Sequence, residues 1–326
     1  MMFNVRTDLA IEAAVLHNKT KEKMRRIQGV EVKTAKEESV TITRVEITNE
    51  QGERAVGKPR GNYITIDSPA IRDNDEQAFD LTGRLLAREL KNILKLQKNA
   101  SVLVVGLGNW NVTPDALGPK VVSELIVTRH LFELIPEKMD GVPHPVCALS
   151  PGVLGITGIE TGEIIKGVVN MVKPDLVIAI DALASRRTDR ISTTIQIADT
   201  GITPGSGIGN KRQGLTQEYL GVPVIAIGVP TVVDAATVAN DAIELLMENI
   251  CAHADPESAL YKLADTFDME QRYPLIKEVL NPYVGNLIVT PKEVDGIIEE
   301  VSKIIANGIN DAVLGDPPLD PSRRPF

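Results

Sequence analysis

The chain has 326 residues, a formal net charge of −9, and 43% hydrophobic, 24% charged and 3% aromatic residues. This is an ordinary globular balance, enough for one large domain or two small ones, with a core resting on Val, Ile, Leu and Ala. The negative sign argues against non-specific binding to nucleic acid, which needs basic patches, and the strand-length apolar runs exclude a membrane-spanning helix.

The first ten residues include Asn4, Arg6, Thr7 and Asp8 and no long apolar run, so no secretory signal is expected. Residues 1–27 read as a polar arm with one helix, Ala10 to Arg26. A β-rich stretch follows. Val30 to Lys33 and Val40 to Ile47 alternate in polarity, Asn49, Gln51 and Gly52 suggest a turn, and Tyr63 to Ile66 reads as another strand. Alternation implies one wet face, so residues 28–68 are expected to form a small antiparallel β-rich region.

From residue 76 the pattern changes. An amphipathic helix, Ala78 to Leu96, precedes the unbroken apolar run Ser101 to Val105. Pro119 to Leu134 reads as a helix, Pro145 to Leu149 as a strand, Gly162 to Val172 as a helix and Asp175 to Ile180 as a strand. Two more strands, Thr194 to Ile197 and Pro223 to Ile227, precede the helices Ala235 to Ile250 and Val294 to Ala306; Asp316 to Phe326 reads as a loose end. Unbroken apolar strands alternating with helices predict an α/β fold with a mostly parallel sheet covered by helices on both faces. Sites in such sheets lie beyond the carboxyl ends of the strands.

Two of these strands deliver an aspartate near that edge: Asp115, after Val105-Gly106, and Asp181, after Ile178-Ala179-Ile180. Two carboxylates in one cleft can share a proton, one acting as base on a water while the other donates to a carbonyl oxygen. Asp115 suits equally an N-cap for the helix near Pro119, and Asp181 a strand-end cap, so the residues alone leave both readings open. Trp110, the only Trp, reads as a packing residue. The Gly-rich segment Pro204 to Asn210 is either a flexible loop or a nest of backbone donors lining the site.

Competing motifs fail. Gly106-Leu107-Gly108 lacks the third Gly of a dinucleotide fingerprint, and Lys211 after the Gly-rich segment has neither a preceding Gly nor a following Ser or Thr. Ser150 lacks a nucleophile elbow, and His17, His130, His144 and His253 show no metal spacing. Cys147 and Cys251 lie in apolar surroundings outside any C-x-x-C pair and read as buried reduced thiols of a cytosolic protein; without a signal or a membrane span the chain is expected to be soluble and cytoplasmic, and no cofactor is expected.

Three segments carry a resemblance. Gly106 to Pro119 (GLGNWNVTPDALGP), Asp175 to Ala184 (DLVIAIDALA) and Ile202 to Asn210 together resemble the spore germination protease family. The resemblance implies an aspartic endopeptidase that degrades small acid-soluble DNA-binding spore proteins during germination. It implies Asp115 and Asp181 as the catalytic pair, a fold similar to hydrogenase maturation proteases, a homotetramer made as a zymogen, and residence in the spore core. Direct binding of nucleic acid or membrane is not expected. Gly205, Ser206, Gly207, Gly209 and Asn210 become candidates for a substrate-binding loop.

The family's substrates are cut after an acidic residue that precedes an apolar residue and Ala. Thr7-Asp8-Leu9-Ala10-Ile11-Glu12 has that pattern, although Thr7 or Asp8 would also serve as a helix N-cap. Cleavage between Asp8 and Leu9 is therefore expected, leaving a propeptide of residues 1–8, shorter than in some relatives, and a single peptidase domain of residues 9–326 with the β-rich insertion. The alternative is a metal-dependent maturation protease of the same fold. It would need a His near the end of a later strand, and the loops Gly201 to Gln213 and Gly228 to Asp234 contain none.

Overall fold

The computed structural model describes residues 9, 12, 27–73, 75–205, 212–259, 261–262, 269–284 and 287–315. In chain order these form β1 (Val30–Glu37), β2 (Val40–Ile47), α1 (Glu50–Val56), β3 (Gly61–Asp67), α2 (Glu76–Leu94), β4 (Val102–Gly106), α3 (Leu117–Glu124), α4 (Arg129–Leu134) and β5 (Val146–Leu149). They continue as α5 (Leu154–Thr157), α6 (Thr161–Val172), β6 (Leu176–Ser185), β7 (Thr194–Ala198), α7 (Gln217–Leu220), β8 (Val224–Asp234), α8 (Ala235–His253), α9 (Met269–Val284), β9 (Ile288–Val289) and α10 (Val294–Leu314). The predicted N-terminal helix and loose C-terminal end fall almost wholly outside the described residues.

All the strands join one sheet, in the order β1-β2-β3-β7-β8-β6-β4-β5, with β9 paired to the far end of β8. Its core is parallel: β5, β4, β6 and β8 run in the same direction. The antiparallel β-rich region is continuous with that core, because β3 pairs with β7 and β7 with β8.

The unbroken apolar runs are explained by cover on both faces. Val104, Ile178 and Ile227 pack against α2, α3 and α10 through Leu86, Val121 and Ile305. Their neighbours Leu103, Val105 and Val177 face the other way, onto Ile165 and Val169 of α6. Successive residues of a strand point to opposite faces, so a doubly covered strand has no polar alternation, and each such side chain contributes about 1.5–3 kcal/mol on burial.

Several boundaries differ from expectation. The turn expected at Asn49 to Gly52 is instead the start of α1: Asn49 Oδ1 accepts from Gly52 N at 3.0 Å, and Gly57 closes the helix in the left-handed conformation. The single helix expected from Pro119 to Leu134 is two, α3 and α4. Leu125 is extended, and Thr128 turns to β5, where its N–H donates to Val146 O at 2.8 Å and its Oγ1 accepts from Val146 N at 3.0 Å. β6 and β8 outrun their apolar stretches, so Gly228 to Asp234 is strand rather than loop. Pro230 is tolerated there because it sits at a register shift, where Leu183 opposes Pro230 and Ala184 opposes Val232.

Candidate active site

β4 ends at Gly106, beside Ile180 of β6, and Leu107 N closes the ladder by donating to Ile180 O at 2.8 Å. The chain then bends at Gly108, whose φ is +118° and where a Cβ would stand 1.9 Å from Asp115 O. Only Gly accepts both conditions. Asn109 holds the loop: its Oδ1 accepts from Asn111 N at 3.0 Å, and its O accepts from Val112 N at 3.1 Å. Its N–H is shared between Asp115 Oδ2 at 2.8 Å and Asp115 O at 3.1 Å.

Asp115 therefore ends a single 3₁₀ turn, Thr113–Asp115, and caps nothing; α3 begins at Leu117 after Ala116, without a side-chain cap. Burial pushes the Asp115 carboxyl above the usual carboxylate range, against the pull of the Asn109 N–H and the positive charge of Arg212.

Asp181 lies within β6 rather than at its end, at the first position beyond the last β4 pair and opposite Gly228 of β8. It is only 5% exposed, and its Oδ1 accepts from Ala182 N at 3.0 Å. The missing side chain at Gly228 makes room for Leu183, which a Cβ there would approach to 2.4 Å.

Asp115 and Asp181 line one pocket of about 900 Å³ at the carboxyl end of the parallel core. Gly205 lines it too, whereas Ser206, Gly207, Gly209 and Asn210 lie outside the described residues, as does Asp8. The feet of this Gly-rich loop are pinned by a pair of bonds, Ile202 N to Leu215 O at 3.1 Å and Leu215 N to Ile202 O at 2.8 Å. Leu9 is fully buried and packs on Leu183, another pocket residue.

Arg212 and Tyr63 are among the lining residues that escaped the sequence. Arg212 follows the Gly-rich segment one residue on, after Lys211, and a cation so placed was a usable signal. Tyr63 arrives from the antiparallel strands; its hydroxyl donates to Pro59 O at 2.8 Å, and burial pushes its pKa up to about 12. Nothing local marks it. Trp110, expected to pack, is instead 57% exposed, and both cysteines are half-buried free thiols. His144 is satisfied, its Nδ1 lying 3.1 Å from Ala100 O.

Comparison with known proteins decides the family. The germination protease family matches residues 8–264 and, in a second stretch, 253–316. The chain belongs to the germination protease family. Relatives named germination protease include that of Caldanaerobacter subterraneus subsp. tengcongensis, 54% identical over 310 residues (95% of this chain, 94% of the relative). That of Clostridium tetani is 52% identical over 310 residues, covering 95% of both chains. That of Bacillus cereus is 46% identical over 345 residues, covering 95% of this chain and 94% of its own. The protein is thus a peptidase acting on protein substrates. Among the described residues, no helix of this family member is long and apolar enough to cross a membrane.

Proposed function

We propose that this germination protease is an aspartic-type endopeptidase whose catalytic pair is Asp115 and Asp181. The observation that carries this reading is their convergence on one pocket, from separate strands, at the sheet edge where α/β sites form. The upward shift of Asp115 suits it to hold the proton. In the cycle, the ionised carboxylate takes a proton from a water whose oxygen bonds to the scissile carbonyl carbon. The protonated carboxyl gives its proton to the carbonyl oxygen. As the resulting diol collapses, the C–N bond breaks, the leaving nitrogen takes the proton held by the first carboxyl, and one diol hydroxyl returns its proton to the second.

The substrates of this reading are small acid-soluble DNA-binding spore proteins in the spore core, cut after an acidic residue and before an apolar residue and Ala. The purified protein, incubated with such a substrate, is expected to give those cut sites by mass spectrometry, at a rate unchanged by exhaustive dialysis against EDTA. Neither Gly201 to Gln213 nor Gly228 to Asp234 contains a His that could serve as a metal ligand. Absence of cutting overturns the proposal; loss with EDTA and recovery with one divalent ion marks the metal-dependent alternative.

The reading includes a zymogen that processes itself between Asp8 and Leu9. Supporting it, Leu9 is buried against the wall of the pocket that holds both aspartates. Protein aged at mildly acidic pH is expected to acquire an N-terminus at Leu9, and Asp8→Lys to stop this. A start at Leu9 that accumulates equally in an Asp115→Asn control would assign the cut to another protease.

A homotetramer completes the proposal. Leu245 and Leu246 on α8 and Leu275 and Val279 on α9 are exposed, apolar area suited to self-association. Light scattering reads the mass directly, and a monomer at micromolar concentration removes this part.

A further inference from the structure

Glu12 is 3% exposed, and its carboxylate is received by a site built at the end of β6. Oε1 accepts from Ser185 Oγ at 3.0 Å and Oε2 from Arg186 N at 2.9 Å, while Arg190 Nε stands 3.8 Å from Oε1. The Ser185 hydroxyl has a second acceptor, Arg187 O at 2.8 Å, and itself accepts from Arg187 N at 3.0 Å. One hydroxyl proton cannot serve two acceptors fully, so it has a resting partner when no carboxylate is present. Arg190 Nη1 is buried with no hydrogen-bond partner among the described residues, so its guanidinium has donor capacity beyond Glu12.

Three residues before Glu12, Leu9 has no exposed surface and packs on Leu183, with Ile202 against them. Leu183 and Ile202 line the pocket of Asp115 and Asp181. On β6 the groups involved are therefore Asp181, Leu183 and Ser185, alternate residues of one strand and so on one side of it, about 7 Å apart at each step. The strand presents, in order, a carboxylate of the pocket, an apolar seat and a carboxylate receptor.

We propose that β6 reads the peptide downstream of the scissile bond. The seat of Leu183 and Ile202 takes the apolar side chain next to the cut. The receptor of Ser185, Arg186 N–H and Arg190 takes an acidic side chain three residues further on. The inference rests on the peptidase reading of Asp115 and Asp181 and adds a specificity element to it. In the intact chain, Leu9 and Glu12 occupy both positions as an internal peptide. Release of this peptide after a cut before Leu9 frees the site for a substrate of the same pattern.

The test uses two peptides that contain Thr-Asp-Leu-Ala-Ile-Glu and the same sequence ending in Gln, with the protein after cleavage before Leu9 and its Arg190→Gln and Arg190→Lys variants. The wild type is expected to cut the Glu peptide with a kcat/KM about tenfold above the Gln peptide, the scale of one charge-assisted hydrogen bond. In Arg190→Gln that ratio falls to near one, and Arg190→Lys restores part of it. A ratio near one in the wild type, or a ratio kept in folded Arg190→Gln, overturns the inference. A second measurement is independent of turnover. In the doubly substituted chain Glu12→Gln, Asp115→Asn, the vacated receptor is expected to bind the labelled Glu peptide about tenfold tighter than the Gln peptide by fluorescence polarisation. Equal binding overturns the inference by itself. Tighter binding of the Glu peptide with neither peptide cut by the wild type leaves the receptor standing and removes the catalytic reading instead.

Discussion

Replacing either Asp115 or Asp181 with Asn is expected to lower kcat/KM for peptide cleavage by about a thousandfold or more in a protein that stays folded. An amide can neither take the proton of the attacking water nor return one to the carbonyl, and general acid–base catalysis alone is worth roughly 10²–10⁴ in rate. The fold should survive because both backbone N–H donors find an acceptor in Asn: Asn109 N at residue 115 and Ala182 N at residue 181.

The sign of the stability change at residue 115 follows from its shift. A carboxyl with a raised folded pKa contributes stability below its unfolded pKa, and that contribution is lost as pH rises through the folded value. At neutral pH, Asp115→Asn removes the cost of a buried charge, so its Tm should equal or exceed that of the wild type, with the difference closing near pH 3. Activity should fall as pH rises through the raised pKa, because the proton-holding form is then lost. Calorimetry and a pH–rate profile read both; near-normal turnover in folded Asp181→Asn would remove the pair.

Gly108→Ala is expected to be the most damaging single methyl group in the site. Its Cβ would overlap Asp115 O at 1.9 Å while the residue keeps a φ of +118°. Left-handed strain costs about 1–2 kcal/mol, and the overlap is with backbone, which cannot rotate aside. The loop must open, breaking the bonds from Asn109 N that fix Asp115. A fall in stability of several kcal/mol together with loss of cleavage is the expected result. Gly57→Ala is the control: at φ +70° and with nothing within 4 Å of its Cβ, it bears the conformational cost alone. Equal Tm values for the two variants would contradict this account of the loop.

How much of this was legible in the sequence depended on how local the signal was. The runs around Val104 and Ile178 were readable as doubly covered strands because every residue in them is buried. That Asp115 and Asp181 line one pocket was readable because each lies beyond the end of such a run. What failed was set by distant partners. β8 continues through Gly228 and Pro230 because β6 runs alongside and a register shift absorbs the proline. α3 stops at Glu124 because Thr128 is claimed by β5. The segment Thr7 to Glu12 suggested a cut, but nothing in it announced that Glu12 would meet Ser185 and Arg186, more than 170 positions away.

The position of α10 has a consequence for folding. This last helix packs on α2 and α3 and touches the turn that carries Asp115, with Ile305 and Ile309 in the same apolar core as Val104. Gly308 is pressed so close to Leu86 that a Cβ would meet it at 2.8 Å, and Asn310 Oδ1 accepts from Ile126 N at 3.1 Å. One face of the parallel core is thus completed by a helix that follows all the described strands in chain order. A chain in which α10 is undocked exposes Leu86 and Val121 to water and leaves the turn of Asp115 without one of its supports. Because α10 follows every strand of the sheet in chain order, the pocket lined by the two aspartates is left unfinished until that helix has docked.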